Sequence, residues 1–220
     1  MEKDTMLGKM MGKIVGLPSE IIGVLYDLVE KLASGDWQEW LTELKKFLRK
    51  EKCWVAETIL ELIGTVTISA RNGRFVARDY FIKDTSKKAK MKISYLGDNL
   101  KENFLSKVEE AIAKTTLRYH RLRKDLYDKE ILTNLGGKNK AETMLAEMFG
   151  LMEMQPNGES GTLLTNGYAN IFYIKDVNGV LWAVSCYWDD DGWYVNALSV
   201  ESPSRWRGGN QVFSRNSLDS

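Results

Sequence analysis

Alternating strand-like segments near the C-terminus constrain the fold more than any other feature of the chain. Three of them, Ile171 to Lys175, Leu181 to Trp188 and Trp193 to Val200, are separated by the turn signals Asn178-Gly179 and Asp191-Gly192. A two-residue reversal between paired strands requires positive φ at its central residues, and Gly and Asn tolerate that conformation. The segments therefore predict an antiparallel β-meander.

The predicted meander is rich in tryptophan and tyrosine. Such side chains are enriched at the centres of protein interfaces, so the meander predicts a contact surface for a protein partner. The competing interpretation places most of these rings in the core, because strand alternation turns every second side chain inward. The candidate contact residues are Trp182, Trp188, Trp193 and Trp206.

The N-terminal part of the chain shows helical periodicity instead. Apolar residues recur at three- and four-residue spacing after Pro18 and Ser19, which predicts one helix, and again after Asp36, which predicts a second. We interpret the pair as a helical hairpin able to associate with a protein partner, and we expect a weaker helix from Trp54 to Ile63. Residues 1–63 are thus predicted to form a helical region and residues 64–220 an α+β domain.

Helical and extended segments alternate in the centre of the chain. Strands are predicted from Val66 to Ala70 and from Phe75 to Ile82, as a hairpin around Asn72-Gly73. The segregation of helices from antiparallel hairpins predicts an α+β fold class. The remaining predicted elements are a strand from Met91 to Leu96, a helix that begins at Asp98, a strand from Thr116 to Arg123 and an amphipathic helix from Ala141 to Met152.

A basic centre is the strongest functional signal. From residue 51 to residue 135 the chain has 17 Lys and Arg against 12 Asp and Glu, although the net charge of the whole chain is only +1. Cations bind phosphates and aromatic rings stack on bases, so this centre predicts binding of single-stranded nucleic acid if the strands at 91–96 and 116–123 pair. The alternative is a solvated surface whose lysines protect edge strands from aggregation. The candidate nucleic-acid-binding residues are Arg71, Arg74, Arg78, Lys83, Lys87, Lys88, Lys90, Lys92, Arg118, Arg121 and Arg123.

Several kinds of catalytic and metal site find no support in the sequence. The two cysteines, Cys53 and Cys186, have no Cys or His at zinc-ligand spacing, and the single histidine, His120, has no Gly-x-Ser-x-Gly motif nearby. We interpret His120 as exposed or hydrogen-bonded. The acidic run from Asp189 to Asp191 lies at a predicted turn and lacks the spacing of an EF-hand, so we interpret it as solvated rather than as a cation site. No metal and no cofactor is therefore expected.

The sequence also predicts a cytoplasmic protein. No segment approaches the roughly 18 uninterrupted apolar residues that a membrane-spanning helix needs. Lys9 and Lys13 interrupt the Met-rich start, so a secretory signal is not expected. Because two distant cysteines do not support a disulfide framework, a reducing compartment is the expected location.

Five segments of the chain carry a resemblance to other sequences: Leu17 to Arg49, Lys92 to Glu109, Leu135 to Gly161, Asn166 to Tyr187 and Gln211 to Asn216. Through them the chain resembles uncharacterised proteins that recur in candidate-phyla bacteria with small genomes. No activity is established for that group. The resemblance therefore implies no functional residue.

The function favoured by the sequence is a non-catalytic binding or regulatory module. It is expected to contact nucleic acid through the basic centre, or protein through the helical hairpin or the meander. The alternative from another class is a hydrolytic enzyme that uses carboxylate or lysine side chains, because acid–base chemistry requires only groups whose environments push their pKa values apart. No catalytic residue is assigned from the sequence.

Overall fold

A computed structural model of the chain describes residues 2–51 and 58–215, with side chains for residues 8 and 9 and from residue 11 onward. The chain divides into two compact units, residues 1–57 and residues 58–220. Cys53 and the first part of the helix predicted from Trp54 to Ile63 lie outside the described residues.

The first unit consists of three helices, α1 (Glu2–Val15), α2 (Ser19–Ala33) and α3 (Trp37–Leu48). The two helices predicted after Pro18 and Asp36 are therefore present. α2 and α3 contact each other, and Lys31 Nζ lies 5.6 Å from the centre of the Trp40 ring. No residue of α2 or α3 is buried. Within the described ranges, no helix has the length and apolar character needed to cross a membrane.

The second unit is built from short helices and ten strands, which confirms the α+β class. The helices are α4 (Ala77–Tyr80), α5 (Asp98–Phe104), α6 (Asp128–Asn134), α7 (Lys138–Ala141) and α8 (Leu145–Glu153). The strands are β1 (Leu60–Ile68), β2 (Phe75–Val76), β3 (Ile93–Leu96), β4 (Val108–Glu109), β5 (Thr115–Leu122), β6 (Glu142–Thr143), β7 (Asn170–Lys175), β8 (Leu181–Asp189), β9 (Gly192–Ser199) and β10 (Gln211–Arg215).

One mixed sheet organises the second unit. Its strand order is β1-β5-β10-β7-β8-β9-β3, with β6 paired to β7 as well, while β2 and β4 form a separate pair. β7, β8 and β9 form the predicted antiparallel meander. β10 does not continue it, because it returns to lie parallel to β7 and antiparallel to β5.

Each face of the sheet carries its own hydrophobic core. The face covered by α4, α5 and α8, called the α8 face, includes Leu117, Phe172 and Val184. The opposite face, covered by α6 and α7 and called the α6 face, includes Leu122 and Ile171. Successive side chains of a strand point to opposite faces. Once one residue of a strand is known to lie in one of the two cores, the faces of the other residues of that strand follow.

Two predictions for the centre of the chain are wrong, and a strand pairing on which the nucleic-acid prediction depended does not form. The helix expected up to Ile63 gives way to strand β1 at Leu60. The hairpin around Asn72-Gly73 does not form, because β1 pairs with β5 and β2 pairs with β4. The strand at 91–96 does not pair with the strand at 116–123, because β3 pairs with β9 instead. Long-range strand pairing thus overrides the local turn signal at Asn72-Gly73.

The two meander turns differ from the predicted geometry. Gly179 has the expected positive φ of +80°. It is the last residue of its turn rather than a central one, because its N–H donates to the Asp176 carbonyl at 3.2 Å. At the second turn Asp189 pairs with Gly192, so Asp190 and Asp191 form the reversal, and Asp190 has a φ of +29°. Gly192 is therefore the first residue of β9 rather than a turn residue.

Gly192→Ala is expected to destabilise the second unit more than Gly179→Ala. At position 192 a Cβ would lie 2.8 Å from the backbone nitrogen of Ser94, so β3 must move away from β9. At position 179 the space is open, and the cost is that of a left-handed residue with a side chain, about 1 kcal/mol. Urea unfolding of both variants measures the two losses of unfolding free energy.

Gly179→Asn is the matched control for this comparison, because Asn adopts the left-handed conformation more readily than Ala. Its unfolding free energy is expected to lie between those of the wild type and Gly179→Ala. Equal losses for the Ala and Asn variants, or a Gly192→Ala protein as stable as the wild type, would contradict these assignments.

Candidate anion-binding site

The sheet order separates the two groups of predicted nucleic-acid-binding residues. β3, which follows the lysine-rich residues 83–92, forms one edge of the sheet, whereas β5 lies next to the opposite edge strand, β1. Five strand spacings of about 4.8 Å place the two groups roughly 24 Å apart along the sheet. A single phosphate therefore contacts one group or the other.

Three of the predicted cations, Arg71, Arg74 and Arg123, are paired with carboxylates of the protein. Arg71 Nη2 lies 2.7 Å from Glu153 Oε2, and its guanidinium lies 4.8 Å from the centre of the Tyr80 ring. Arg74 Nε lies 3.2 Å from Glu110 Oε1. Because its charge is matched and its guanidinium packs on an aromatic ring, Arg71 is better placed to stabilise the fold than to bind phosphate.

The connection between α4 and β3 presents several cations to solvent. Exposed lysines beside an edge strand are a common protection against aggregation, and β3 is an edge strand here. Lys92 is half-buried and its carbonyl accepts the N–H of Trp193 at 2.9 Å. The exposed residues of the predicted set in this connection are Lys83, Lys87, Lys88 and Lys90, and Arg78 on α4 is exposed as well.

The pocket beside this connection has mixed charge. It has a volume of about 600 Å³. The backbone N–H of Ser86 donates to Asp84 Oδ1 at 2.8 Å and lowers the pKa of that carboxyl, which keeps it charged. Three carboxylates line the pocket beside two lysines, and their negative charge repels a phosphate. The charged residues that line the pocket are Lys88, Lys90, Asp79, Asp84 and Glu153.

Strand alternation divides the remaining three arginines. Arg118 lies on the α6 face, whereas Arg121 lies on the α8 face, and its Nε is buried without a hydrogen-bond partner among the described residues. Arg123 follows β5, and its Nε lies 3.5 Å from Glu61 Oε2. The three side chains therefore do not form one surface.

Arg118 lines a small polar pocket on the α6 face, called here the Arg118 pocket. Its volume is about 140 Å³, and β5, β10, α6 and α7 form its walls. Three of its lining residues are basic, a fourth is a histidine, and no carboxylate is among the described lining residues. The lining residues are Arg118, His120, Asn134, Leu135, Lys140, Ser214 and Arg215.

The pairing of β5 with β10 builds one wall of the Arg118 pocket. In this register Ser214 lies opposite Arg118, and Val212 lies opposite His120. All four side chains therefore point to the α6 face. The hydroxyl, the guanidinium and the imidazole are brought together only because β10 returns to this position in the sheet.

The end of α6 builds the other wall. Gly136 and Gly137 have φ values of +88° and +101°, and the Gly137 N–H donates to the Leu132 carbonyl at 2.9 Å. This hydrogen bond and the left-handed residues terminate α6 in a tight turn, and α7 begins at once. The reversal places Asn134, before the turn, and Lys140, after it, in the same pocket.

Arg118 is the main source of positive charge in the pocket. This residue forms no ion pair with the described part of the chain. Arg215 is partly neutralised, because its Nη2 lies 3.0 Å from Glu147 Oε1 and its Nε donates to the Glu142 carbonyl at 3.3 Å. Arg215 lies opposite Leu117 in the sheet, so its side chain extends to the α8 face, away from Arg118.

His120 differs from the sequence-based interpretation of an exposed or hydrogen-bonded residue. It is half-buried, and its Nδ1 is buried with no hydrogen-bond partner among the described residues. Burial lowers the pKa of the imidazole, and the positive charge of Arg118 lowers it further. His120 therefore lines a pocket with cations, its burial favours the neutral imidazole, and its Nδ1 is enclosed by protein atoms.

Comparison with known proteins gives no information about the ligand of this pocket. No family model, no curated protein and no solved structure matches the chain. The chemistry of the Arg118 pocket is accordingly inferred from its own geometry and charge.

Two buried carboxylates, Glu109 and Glu147, lie beside the start of α8. Glu109 accepts the N–H groups of Leu145 at 3.1 Å and Ala146 at 2.8 Å, so it caps the helix. Glu147 accepts the Met144 N–H at 2.8 Å. Burial raises the pKa of the Glu147 carboxyl, Arg215 and the Met144 N–H oppose that rise, and Glu109 adds to it. Both carboxylates thus hold α8 in place.

A third buried carboxylate, Asp128, belongs to the core of the α6 face. Its Oδ1 accepts the hydroxyl of Tyr173 at 2.7 Å and the indole N–H of Trp206 at 2.9 Å. Burial raises the pKa of Asp128, while these two hydrogen bonds oppose the rise. The group links α6 to the sheet and to the loop before β10.

The four candidate contact tryptophans do not form one surface. Trp193 is fully buried and donates its indole N–H to a backbone carbonyl at 3.1 Å, so it is not a contact residue. Trp188 packs edge-on against Trp193 at 5.4 Å, and Trp182 donates to Asp176 Oδ2 at 3.0 Å. Trp206 lies on the opposite face of the sheet. The core interpretation therefore holds for most of these rings.

The acidic turn is solvated, as the sequence predicted. Asp189, Asp190 and Asp191 are all exposed at the end of the β8–β9 hairpin. Across residues 2–51 and 58–215, no group of three or more His, Cys, Asp or Glu side chains is arranged to hold a metal ion.

Sequence reasoning missed four residues of the Arg118 pocket: Asn134, Lys140, Ser214 and Arg215. The only local signal was the Gly136-Gly137 break followed by lysines, which suggests a turn next to a positive charge. Ser214 and Arg215 carry no signal of their own, because their role depends on the strand beside which β10 lies.

His120 is expected to make the second unit less stable as the pH falls from about 7.5 to about 5. Burial and Arg118 lower its folded-state pKa below the ordinary value of 6.5, so the unfolded chain binds the proton first. Stability then rises with pH between the folded-state and unfolded-state pKa values. The loss of unfolding free energy between pH 7.5 and pH 5, measured in urea, is therefore expected to be smaller for His120→Gln.

The lowered pKa of His120 can also be checked directly by spectroscopy. The chain has a single histidine, so the imidazole resonances of the folded protein report the pKa of His120 without overlap. The midpoint is expected below 6.5, the ordinary value. A midpoint at or above that value, or an unchanged pH dependence in His120→Gln, would show that the imidazole is not desolvated beside Arg118.

Proposed function

We propose that this protein is a non-catalytic binding module that holds a phosphate of single-stranded nucleic acid in the Arg118 pocket. The observation that carries the proposal is that Arg118 on β5 and Lys140 on α7 line one small pocket that no described carboxylate lines. Basic side chains grouped in this way bind phosphate oxygens through charge-assisted hydrogen bonds. Ser214 and Asn134 add neutral polar groups to the same site.

The size of the pocket supports a single strand over a duplex. A flexible strand can turn one phosphate into a recess of about 140 Å³. A duplex holds its phosphates at regular positions on a stiff outer surface, where protein side chains must reach out to them. The Arg118 side chain instead lies in the recess, between the sheet and the turn after α6.

Two further observations support binding rather than hydrolysis. Glu109 and Glu147, two buried carboxylates, are engaged by the N–H groups at the start of α8. Cys186 is a buried free thiol, and burial raises its pKa, so it is unreactive. We include a cytoplasmic location in the proposal.

Arg118→Gln is expected to weaken binding of a short fluorescent single-stranded DNA about tenfold at low salt, because one charge-assisted contact is lost. The slope of log affinity against log salt is expected to flatten by about 0.7 for each phosphate contact removed. Fluorescence anisotropy at several salt concentrations measures both quantities.

Lys87→Gln is the matched control, because it removes the same charge from the exposed connection at the other edge of the sheet. Its affinity is expected to stay within about twofold of the wild type. Weaker binding by Lys87→Gln than by Arg118→Gln would move the phosphate site to the lysine-rich connection. No binding by the wild type at low salt would refute the nucleic-acid proposal.

A second candidate function, self-association through the first unit, is favoured by an exposed apolar stripe on α2. Ile22, Tyr26 and Val29 recur at helical spacing and are 40%, 64% and 63% exposed. α2 and α3 bury no side chain, although short helices gain most of their stability from packing an apolar face. We propose that a second copy of the same helix covers the stripe.

Replacing Ile22, Tyr26 and Val29 with Gln is expected to convert a dimer into a monomer, because the apolar stripe is then lost. Light scattering of the full chain measures the change in mass. Asp27→Asn, an exposed substitution on the same helix, is the control and is expected to leave the mass unchanged. A monomeric wild type at micromolar concentration would refute self-association.

A further inference from the structure

We infer that the outer edge of β1, with the groove beside it, binds an extended and uncharged peptide segment of a protein partner as an additional strand of the sheet. The surface, called here the β1 edge site, consists of residues 64–70 and the groove between the end of β1 and α8. It goes beyond the proposed function, because it does not use the Arg118 pocket.

The edge strand β1 has one side without a partner strand. β1 comes first in the sheet order, and within residues 2–51 and 58–215 the main chain of residues 60–68 hydrogen-bonds to β5 alone. Its outer N–H and C=O groups therefore form an unpaired row. Only the main chain of another extended segment matches such a row along its length, so an added strand is the occupant that this edge selects.

The other edge of the sheet shows how this protein blocks an edge strand. β3 has only four residues, and its outer side exchanges two main-chain hydrogen bonds of 3.0 Å between Ile93 and Asp84. β1 has nine residues and contains neither lysine nor proline, the residues that usually protect an edge. Its bulge lies between Leu62 and Gly64, so residues 64–68 stay regular and open to pairing.

A groove on the α8 face gives the added strand a place for a side chain. Its volume is about 450 Å³, against about 140 Å³ for the Arg118 pocket. Ala146 and Gly150, one helical turn apart on α8, leave this space open, and its walls include the apolar residues Ile68, Ile112 and Met154. Alternate side chains of an added strand point to this face, so we expect an apolar side chain in the groove.

The charges around the groove favour an uncharged peptide. Residues 64–68 carry no charge, and the two charged residues that line the groove, Arg71 and Glu153, lie 2.7 Å from each other. The Arg71 guanidinium also packs on two aromatic rings, 5.4 Å from the centre of Phe75 and 4.8 Å from that of Tyr80. A neutral side chain enters the groove without separating this pair, whereas a charged one competes for a member of it.

Hydrogen exchange of the full chain tests whether the edge is free. The amides of residues 64–68 that do not face β5 are expected to exchange as fast as those of exposed loops, because they have no acceptor. Protection of these amides in the free protein would show that another part of the chain, or a second copy of it, already covers the edge. That result would refute the inference.

A phage-displayed library of random seven-residue peptides supplies the probe. Panning on the full chain is expected to enrich uncharged sequences that have apolar residues at alternate positions and no internal proline. The most enriched peptide is then synthesised with an N-methyl group at each position in turn. Only alternate N–H groups of an added strand face β1, so affinity is expected to fall at least about tenfold at every second position. No enrichment, or losses without this period of two, would contradict the inference.

Variants of the full chain locate the peptide in the groove. Gly150→Ala places a methyl group 3.1 Å from Ile68 Cγ2 and narrows the groove, while Ala favours the helix. Met154→Asp adds an unpaired carboxylate at an exposed position of the lining. Both are expected to bind the enriched peptide about tenfold more weakly by fluorescence anisotropy.

Gly73→Ala is the matched control, because its added methyl group meets no atom within 4 Å. It is expected to bind the peptide like the wild type. Wild-type affinity in both groove variants, or a loss in Gly73→Ala equal to that in Gly150→Ala, would overturn the assignment of the peptide to this groove.

Discussion

The insertion of β10 between β5 and β7 is the pairing on which the rest of the second unit depends. It joins the β1–β5 pair to the meander, so that one continuous sheet forms. Phe213 anchors the strand, with its ring 4.5 Å from that of Phe172 and 5.6 Å from that of Tyr119. Truncation of a fully buried Phe typically costs about 3 to 5 kcal/mol. In its absence the β1–β5 pair would lose its neighbour, and each hydrophobic core would be divided.

The same strand connects the sheet to α8 and to the candidate site. Arg215, its last residue, bonds the buried carboxylate of Glu147, which in turn caps the start of α8. Ser214, one residue earlier, points to the opposite face and lines the Arg118 pocket. The pocket is therefore built on rigid elements rather than on loops. A site of this kind holds its donors in place before the ligand arrives, which lowers the entropic cost of binding.

The distribution of charge explains why one pocket stands out in a protein with a net charge of only +1. Most of the cations in the basic centre are either paired, as Arg71 is with Glu153, or exposed beside carboxylates, as Lys88 and Lys90 are. Exposed charges are screened by salt and contribute little individually. Arg118 differs because it lies in a small recess without a described ion-pair partner, where an anion gains more from its charge.

The sequence by itself determined the local features of this protein. The helical spacing after Pro18, the alternation of β5 and the meander of β7 to β9 each follow from contacts between residues that are close in the chain, so their patterns predicted them. What the tertiary structure decided was the choice of neighbours: β1 with β5 rather than with β2, β3 with β9 rather than with β5, and β10 with both β5 and β7. Arg118 was visible as a cation in the sequence, but Lys140, Ser214 and Arg215 were not recognisable as its companions. Strand pairing depends on which exposed edges and apolar faces fit together across the whole sheet, and no local pattern encodes that fit.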